Sequence, residues 1–114
     1  MSDRFVYKLL TAEDWAKAEA AGVTSTALDD ADGYVHLSAR DQVAETARLH
    51  YRGKAGCVLL EFDAPALGAA LKWEPSRGGA LFPHLYGALK VAAATRRWTL
   101  SLDTDGAPIM PGDL

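Results

Sequence analysis

Cys57-Val58-Leu59-Leu60-Glu61-Phe62-Asp63 is the most strand-like run in the chain. Near-continuous apolar residues over a strand's length point to a strand covered on both faces, and so to the centre of a sheet. Upstream, Phe5-Val6-Tyr7-Lys8-Leu9-Leu10 combines β-branched and aromatic residues with no breaker and reads as a second strand. Thr11-Ala12-Glu13-Asp14 is a helix-capping pattern. The helix after it is expected to carry Ala12, Trp15, Ala16 and Ala20 on one face and to stop at Gly22. Residues 23–33 show no period; Asp29, Asp30 and Asp32 crowd their end, and Asp32-Gly33 marks a turn. Tyr34-Val35-His36-Leu37 is a short strand. Ser38-Ala39-Arg40-Asp41 repeats the capping pattern, with Ser38 as N-cap. Its helix should bury Val43, Ala44, Ala47 and Tyr51 and end near Gly53.

Beyond the central strand, Pro65 and Gly68 break the chain, and Leu71-Lys72-Trp73 forms another short strand. Residues 90–94 and 98–102 read as late strands, followed by a turn at Asp105-Gly106 and an irregular tail from about residue 106. The expectation is one compact α+β domain over residues 1–114. It has a twisted mixed or antiparallel sheet and two helices in the N-terminal half.

A chain of 114 residues buries a real core without metal or disulfide staples. Its single cysteine, Cys57, excludes an internal disulfide, suits a reducing cytosol, and sits where a small core residue belongs. A net charge of −3 argues against general nucleic-acid affinity. Arg48, His50, Arg52 and Lys54 form a basic helix end that suits the negative end of a helix dipole. No apolar run approaches the roughly 20 residues of a membrane span. Met1-Ser2-Asp3-Arg4 has neither the basic start nor the apolar stretch of a signal peptide, so the expected compartment is the cytoplasm. Three scattered histidines and one cysteine give no zinc-ligand spacing, and no metal is expected. The oligomeric state is left open.

The segment from Trp73 through Glu74-Pro75-Ser76-Arg77-Gly78-Gly79 and Phe82-Pro83-His84-Leu85-Tyr86-Gly87 has neither helical nor strand period. Loops lie on the surface and are seldom so aromatic, so it reads as a shaped loop lining a cleft. Arg77 either pairs with Glu74 or grips a phosphate or carboxylate with its planar fork, the Gly78 and Gly79 amides adding donors. His84 and Tyr86 stand two apart, so extended backbone aims both one way, into a pocket. Trp73 is expected in the core. In the strand before Ser38, alternation sends Val35 and Leu37 to the core and leaves Tyr34 and His36 facing a groove. A histidine there either bonds neighbouring backbone or holds a ribose hydroxyl or phosphate and moves a proton. Ser38, at a helix start, would add N–H groups that attract anions.

Three segments together resemble a known family: Tyr7-Lys8-Leu9-Leu10-Thr11 with Trp15, Asp32-Gly33-Tyr34-Val35-His36-Leu37-Ser38, and Leu71 through Gly87. The chain is similar over nearly its whole length to the small bacterial DUF952 proteins, whose function is unknown. More distantly, the His36-Leu37-Ser38 strand end is similar to a segment of ADP-ribosyltransferase-like folds, RNA 2′-phosphotransferases among them. That resemblance implies a split sheet and an NAD-type cleft flanked by Tyr7, His36 and Ser38. Lys8 departs from it, standing where many such proteins carry histidine. Glu61 and Glu74 are both candidates for the third-motif acid.

Two functions follow as expectations. As an ADP-ribosyltransferase-like enzyme, the chain would bind NAD or another small nucleotide. His36 would hold a ribose hydroxyl, Arg77 a phosphate, and Tyr86 or Tyr7 would stack on a ring. Glu74 would stabilise positive charge developing at the ribose carbon. As a non-catalytic module, it would keep the cleft and bind a nucleotide, an anion or a protein loop.

Overall fold

A computed structural model gives the fold of residues 4–114; Met1, Ser2, Asp3 and the side chain of Arg77 lie outside the described residues. The reading of the N-terminus and the anion grip assigned to Arg77 both fall on that undescribed part. The elements run β1 (Phe5–Leu10), α1 (Ala12–Ala21), α2 (Ala27–Asp32), β2 (Val35–His36), β3 (Ser38–Ala39), α3 (Val43–His50), β4 (Val58–Asp63), α4 (Ala64–Leu67), β5 (Leu71–Pro75), β6 (Leu81–Leu85) and β7 (Arg96–Thr99). They build two sheets of order β3-β1-β4-β7 and β2-β6-β5, and every pairing is antiparallel. The class is α+β, as expected.

β1 and β4 form the centre of the larger sheet, paired over six residues from Phe5↔Asp63 to Leu10↔Val58. Alternation divides their apolar side chains between two cores. Val6, Leu10, Val58, Leu60 and Phe62 pack with Val35, Leu37 and Leu85 on the face toward the smaller sheet. Tyr7, Leu9 and Leu59 pack with Val43 and Ala47 of α3 on the other. Cys57 is buried with a free thiol, and Trp73 packs half-buried against the first core.

Register also explains the buried carboxylate. Ser38, Tyr7, Glu61 and Arg96 are successive cross-strand partners over four strands, so they make one row on the α3 face. Glu61 accepts from the Tyr7 hydroxyl (2.9 Å), the Thr95 hydroxyl (2.7 Å) and two guanidinium nitrogens of Arg96 (3.0 and 2.7 Å). Those bonds, Arg96 foremost, hold its carboxyl at about 2, although burial opposes them.

Several local expectations are corrected. Residues 23–33 are not aperiodic: Thr26 Oγ1 accepts the Asp29 N–H at 3.1 Å and caps α2, and Gly33 closes it at φ 81°. The N-terminal half therefore has three helices, not two. Ser38 is no N-cap, because pairing with Tyr7 keeps it in a strand; α3 starts five residues later, after Gln42, with no side-chain cap. Ala44 is exposed, as are Ala12, Ala16 and Ala20; of the face expected for α1, Trp15 does turn inward, and Ala18 joins it. Alanine patterns carry little apolar area, so the large neighbour Trp15 decides the face. Residues 91–93 form a single 3-10 turn, and the last strand starts at Arg96 rather than 98. The segment from Trp73 to Gly87 is a β-hairpin, with β5 and β6 paired from Leu71↔Leu85 to Pro75↔Leu81.

Candidate functional site

β2 is short, but its register places His36 directly opposite His84 on β6. The two rings lie 5.5 Å apart, and the Tyr34 ring covers both, at 4.6 Å from His36 and 4.3 Å from His84. Tyr86 stands 5.2 Å from Tyr34. The alternation read from the sequence thus holds: Val35 and Leu37 are buried, and Tyr34 and His36 are partly exposed, their rings stacked on one side of the strand.

A carboxylate stands behind each histidine. His36 Nδ1 is 2.6 Å from Asp29 Oδ1, and its backbone N–H donates to the same oxygen at 3.0 Å. His36 Nε2 is 2.9 Å from Asp32 Oδ2. His84 Nδ1 is 2.8 Å from Glu74 Oε1, which also accepts the Tyr86 hydroxyl at 2.7 Å. An ionised carboxylate only accepts. Both bonds of His36 therefore need a hydrogen on each nitrogen, whereas His84 needs one only on Nδ1, which leaves Nε2 as acceptor. The bond from His84, then that from Tyr86, lowers the Glu74 carboxyl below its ordinary value, and Glu74 in turn raises the Tyr86 phenol.

Beneath His36 lies a buried ion pair. Lys8 Nζ donates to Asp29 Oδ2 at 2.7 Å and to the His36 carbonyl at 2.9 Å. Lys8 and Asp29 are 4% and 6% exposed, so both charges are largely withdrawn from solvent. Burial pushes the Lys8 amine down against the pull of Asp29; burial pushes Asp29 up, but Lys8 and His36 outweigh it and leave it lowered. The pair locks α2 against β1 and fixes the His36 ring. Nothing in the local pattern of Lys8 or Asp29 foretells their pairing; the Thr26-x-x-Asp29 cap is the one local signal that orders this stretch.

The two histidines and the ion pair, though not Tyr34, Glu74 or Tyr86, line a cleft of about 680 Å³ that extends to Ser76 and Phe82 of the hairpin and to His50 at the end of α3 and Lys54 after it. Its volume is that of a small-molecule site. Lys8, Asp29, His36, Ser38 and His84 all line it. So does Tyr7, which is fully buried with its hydroxyl committed to Glu61. Glu61 itself is on the α3 face and saturated with bonds, so of the two candidate acids Glu74 is the one beside the histidines. Gly78 and Gly79 lie at the exposed hairpin tip, both with positive φ (68° and 79°). The Gly79 amide is spent on the turn, donating to the Ser76 carbonyl at 2.9 Å, which corrects its assignment as a spare anion donor. Among the described residues no helix is long and apolar enough to cross a membrane.

The model of a family described as a protein of unknown function, DUF952, matches residues 9–97. A crystal structure of protein CC0527 from Caulobacter crescentus is 50% identical, with a TM-score of 0.88 over 92% of this chain and 93% of that one. A solution structure of the same protein, again 50% identical, gives 0.81 over 92% and 91%. No curated protein matches the chain.

Proposed function

The chain belongs to the DUF952 family of proteins of unknown function, and from that premise we propose that it binds a nucleotide-type ligand, NAD among them, and does acid–base chemistry at its ribose or phosphate centre. The observation that carries this reading is the cross-strand pair His36 and His84, each oriented through Nδ1 by a carboxylate. Two oriented imidazoles 5.5 Å apart suit a step in which one group takes a proton while the other gives one. His84, bonded through Nδ1 to Glu74, presents Nε2 as the base. His36, held through Nδ1 by Asp29, is the acid once the ligand takes the place of the exposed Asp32 carboxylate at Nε2. Tyr34 and Tyr86 supply ring faces for a base or nicotinamide, and Glu74 places negative charge where a ribose carbon would turn positive. Lys8 and Asp29 are positioning residues that act through His36.

A thermal-shift panel of NAD, ADP-ribose, mononucleotides and phosphate tests binding; a ligand at ~100 times its dissociation constant adds ~2.7 kcal/mol of stability. Turnover of the ligand that shifts the melting point is then followed in His84→Ala and His36→Ala. Loss of ~10²-fold or more in each, with the melting shift retained, is the expected result. No shift from any ligand refutes the binding reading. A shift without turnover, unchanged in both variants, leaves a binding module that keeps the cleft.

A further inference from the structure

We propose that the cleft carries a second, separate anion seat at His50 and Lys54, so that its ligand bears a phosphate or diphosphate remote from the histidine pair. This inference rests on the nucleotide reading for the rest of the ligand. Charge accounting along the cleft leads to it. Lys8 is neutralised by Asp29, His36 lies between Asp29 and Asp32, and His84 is bonded to Glu74. His50 and Lys54 also line the cleft, yet among the described residues neither has a carboxylate within ion-pair distance. Among the described residues, Lys54 is the lysine of the cleft left for an incoming anion, and the exposed His50 imidazole is an N–H donor with no carboxylate bound to it.

The backbone that presents them is held in place. Lys54 N–H donates to the Tyr51 carbonyl at 3.1 Å, and the Cys57 thiol donates to the Lys54 carbonyl at 3.2 Å. Gly53 N–H donates to Gly106 at 2.7 Å, and the Tyr51 hydroxyl reaches back to the Leu9 carbonyl of β1 at 3.1 Å. Ordering the seat therefore costs mainly the freedom of two side chains. Thr11, Asp14 and Thr46 also line the cleft; Thr11 Oγ1 accepts the Asp14 N–H at 3.1 Å, and Lys17 lies 3.9 Å from the Asp14 carboxylate.

Helix length separates the seat from the hairpin end of the cleft. Gln42 Nε2 donates to the Leu81 carbonyl at 2.7 Å and pins the start of α3 to the hairpin. Eight residues at 1.5 Å each carry His50 about 12 Å along the helix from that contact. A ligand that spans the cleft is consequently longer than a nucleoside, with its anionic group at the α3 end. A compact ligand whose only phosphate sits between the histidines leaves the seat empty.

Amide and side-chain NMR with two probes tests this. Inorganic pyrophosphate should shift His50 and Lys54 signals in the wild type and bind at least tenfold more weakly to Lys54→Ala/His50→Ala, with Lys54→Arg retaining most of the affinity. Raised salt should weaken the effect, since both side chains are exposed. Pyrophosphate that perturbs neither residue, or that binds the double variant as it binds the wild type, overturns the proposal. Adenosine, which carries no phosphate, reads the other end through Tyr34, His84 and Tyr86. If adenosine fails while pyrophosphate binds, the seat stands and the nucleotide reading falls; the reverse outcome removes the seat and keeps that reading.

Discussion

Replacing Glu61 by glutamine removes one charge from the row that crosses the larger sheet and leaves the side chain's shape intact. The carboxyl is held at about 2, against 4.5 as its ordinary value, chiefly by Arg96. At 1.36 kcal/mol per pH unit, that preference for the charged state amounts to about 3 kcal/mol. Arg96 is part-exposed and regains water when its partner is neutral, so a loss of about 2–3 kcal/mol is expected. For a chain this long, that lowers the melting temperature by roughly 10 °C. The sign is specific. A depressed carboxyl contributes fully above pH 4.5 and loses its contribution as the pH falls through about 2. Urea unfolding of wild type and Glu61→Gln at pH 7, 4.5, 3 and 2 is the assay. The two stabilities should differ most at pH 7 and converge toward pH 2. A difference that stays constant over that range would mean the loss is packing rather than charge. No difference at pH 7 would refute the electrostatic account of the row altogether.

Lys8→Met leaves Asp29 buried beside His36 without its cation and should cost about 3–5 kcal/mol, of which adding Asp29→Asn recovers part; paired urea midpoints measure both. At the hairpin tip, Gly78→Ala meets open space but must hold φ 68°, so it should cost about 1 kcal/mol. Gly87→Ala, whose added Cβ sits 3.9 Å from Ala70 with no positive φ required, should be near neutral, and thermal melts of the two variants separate conformational strain from packing.

Much of the frame was legible because it depends on local pattern. The Cys57–Asp63 run has the composition of a central strand, and it is one, flanked by β1 and β7. Alternation about Val35 and Leu37 put Tyr34 and His36 on the groove side, and the two-residue spacing of His84 and Tyr86 brought both to Glu74. Errors arose where one pattern admits two structures. Ser38-x-x-Asp41 has a cap's spelling, but a ladder partner across from Tyr7 outweighed it. The Trp73–Gly87 segment lacks strand alternation because Pro83 and the buried His84 occupy inward and central places in a sheet packed on one side and roofed on the other.

Residue type and spacing along the chain by themselves determined the class, the central strand, the groove-facing histidine and an aromatic, arginine-bearing segment that identifies the family. Only the tertiary structure decided which charges meet. Lys8 and Asp29 are 21 residues apart, Glu74 and His84 ten, and Glu61 and Arg96 35. Strand register and helix docking bring such pairs together, and neither is a local property of sequence. Burial then separates one glutamate from the other: Glu61 is saturated inside the sheet, whereas Glu74 is part-exposed and bonded to His84 and Tyr86.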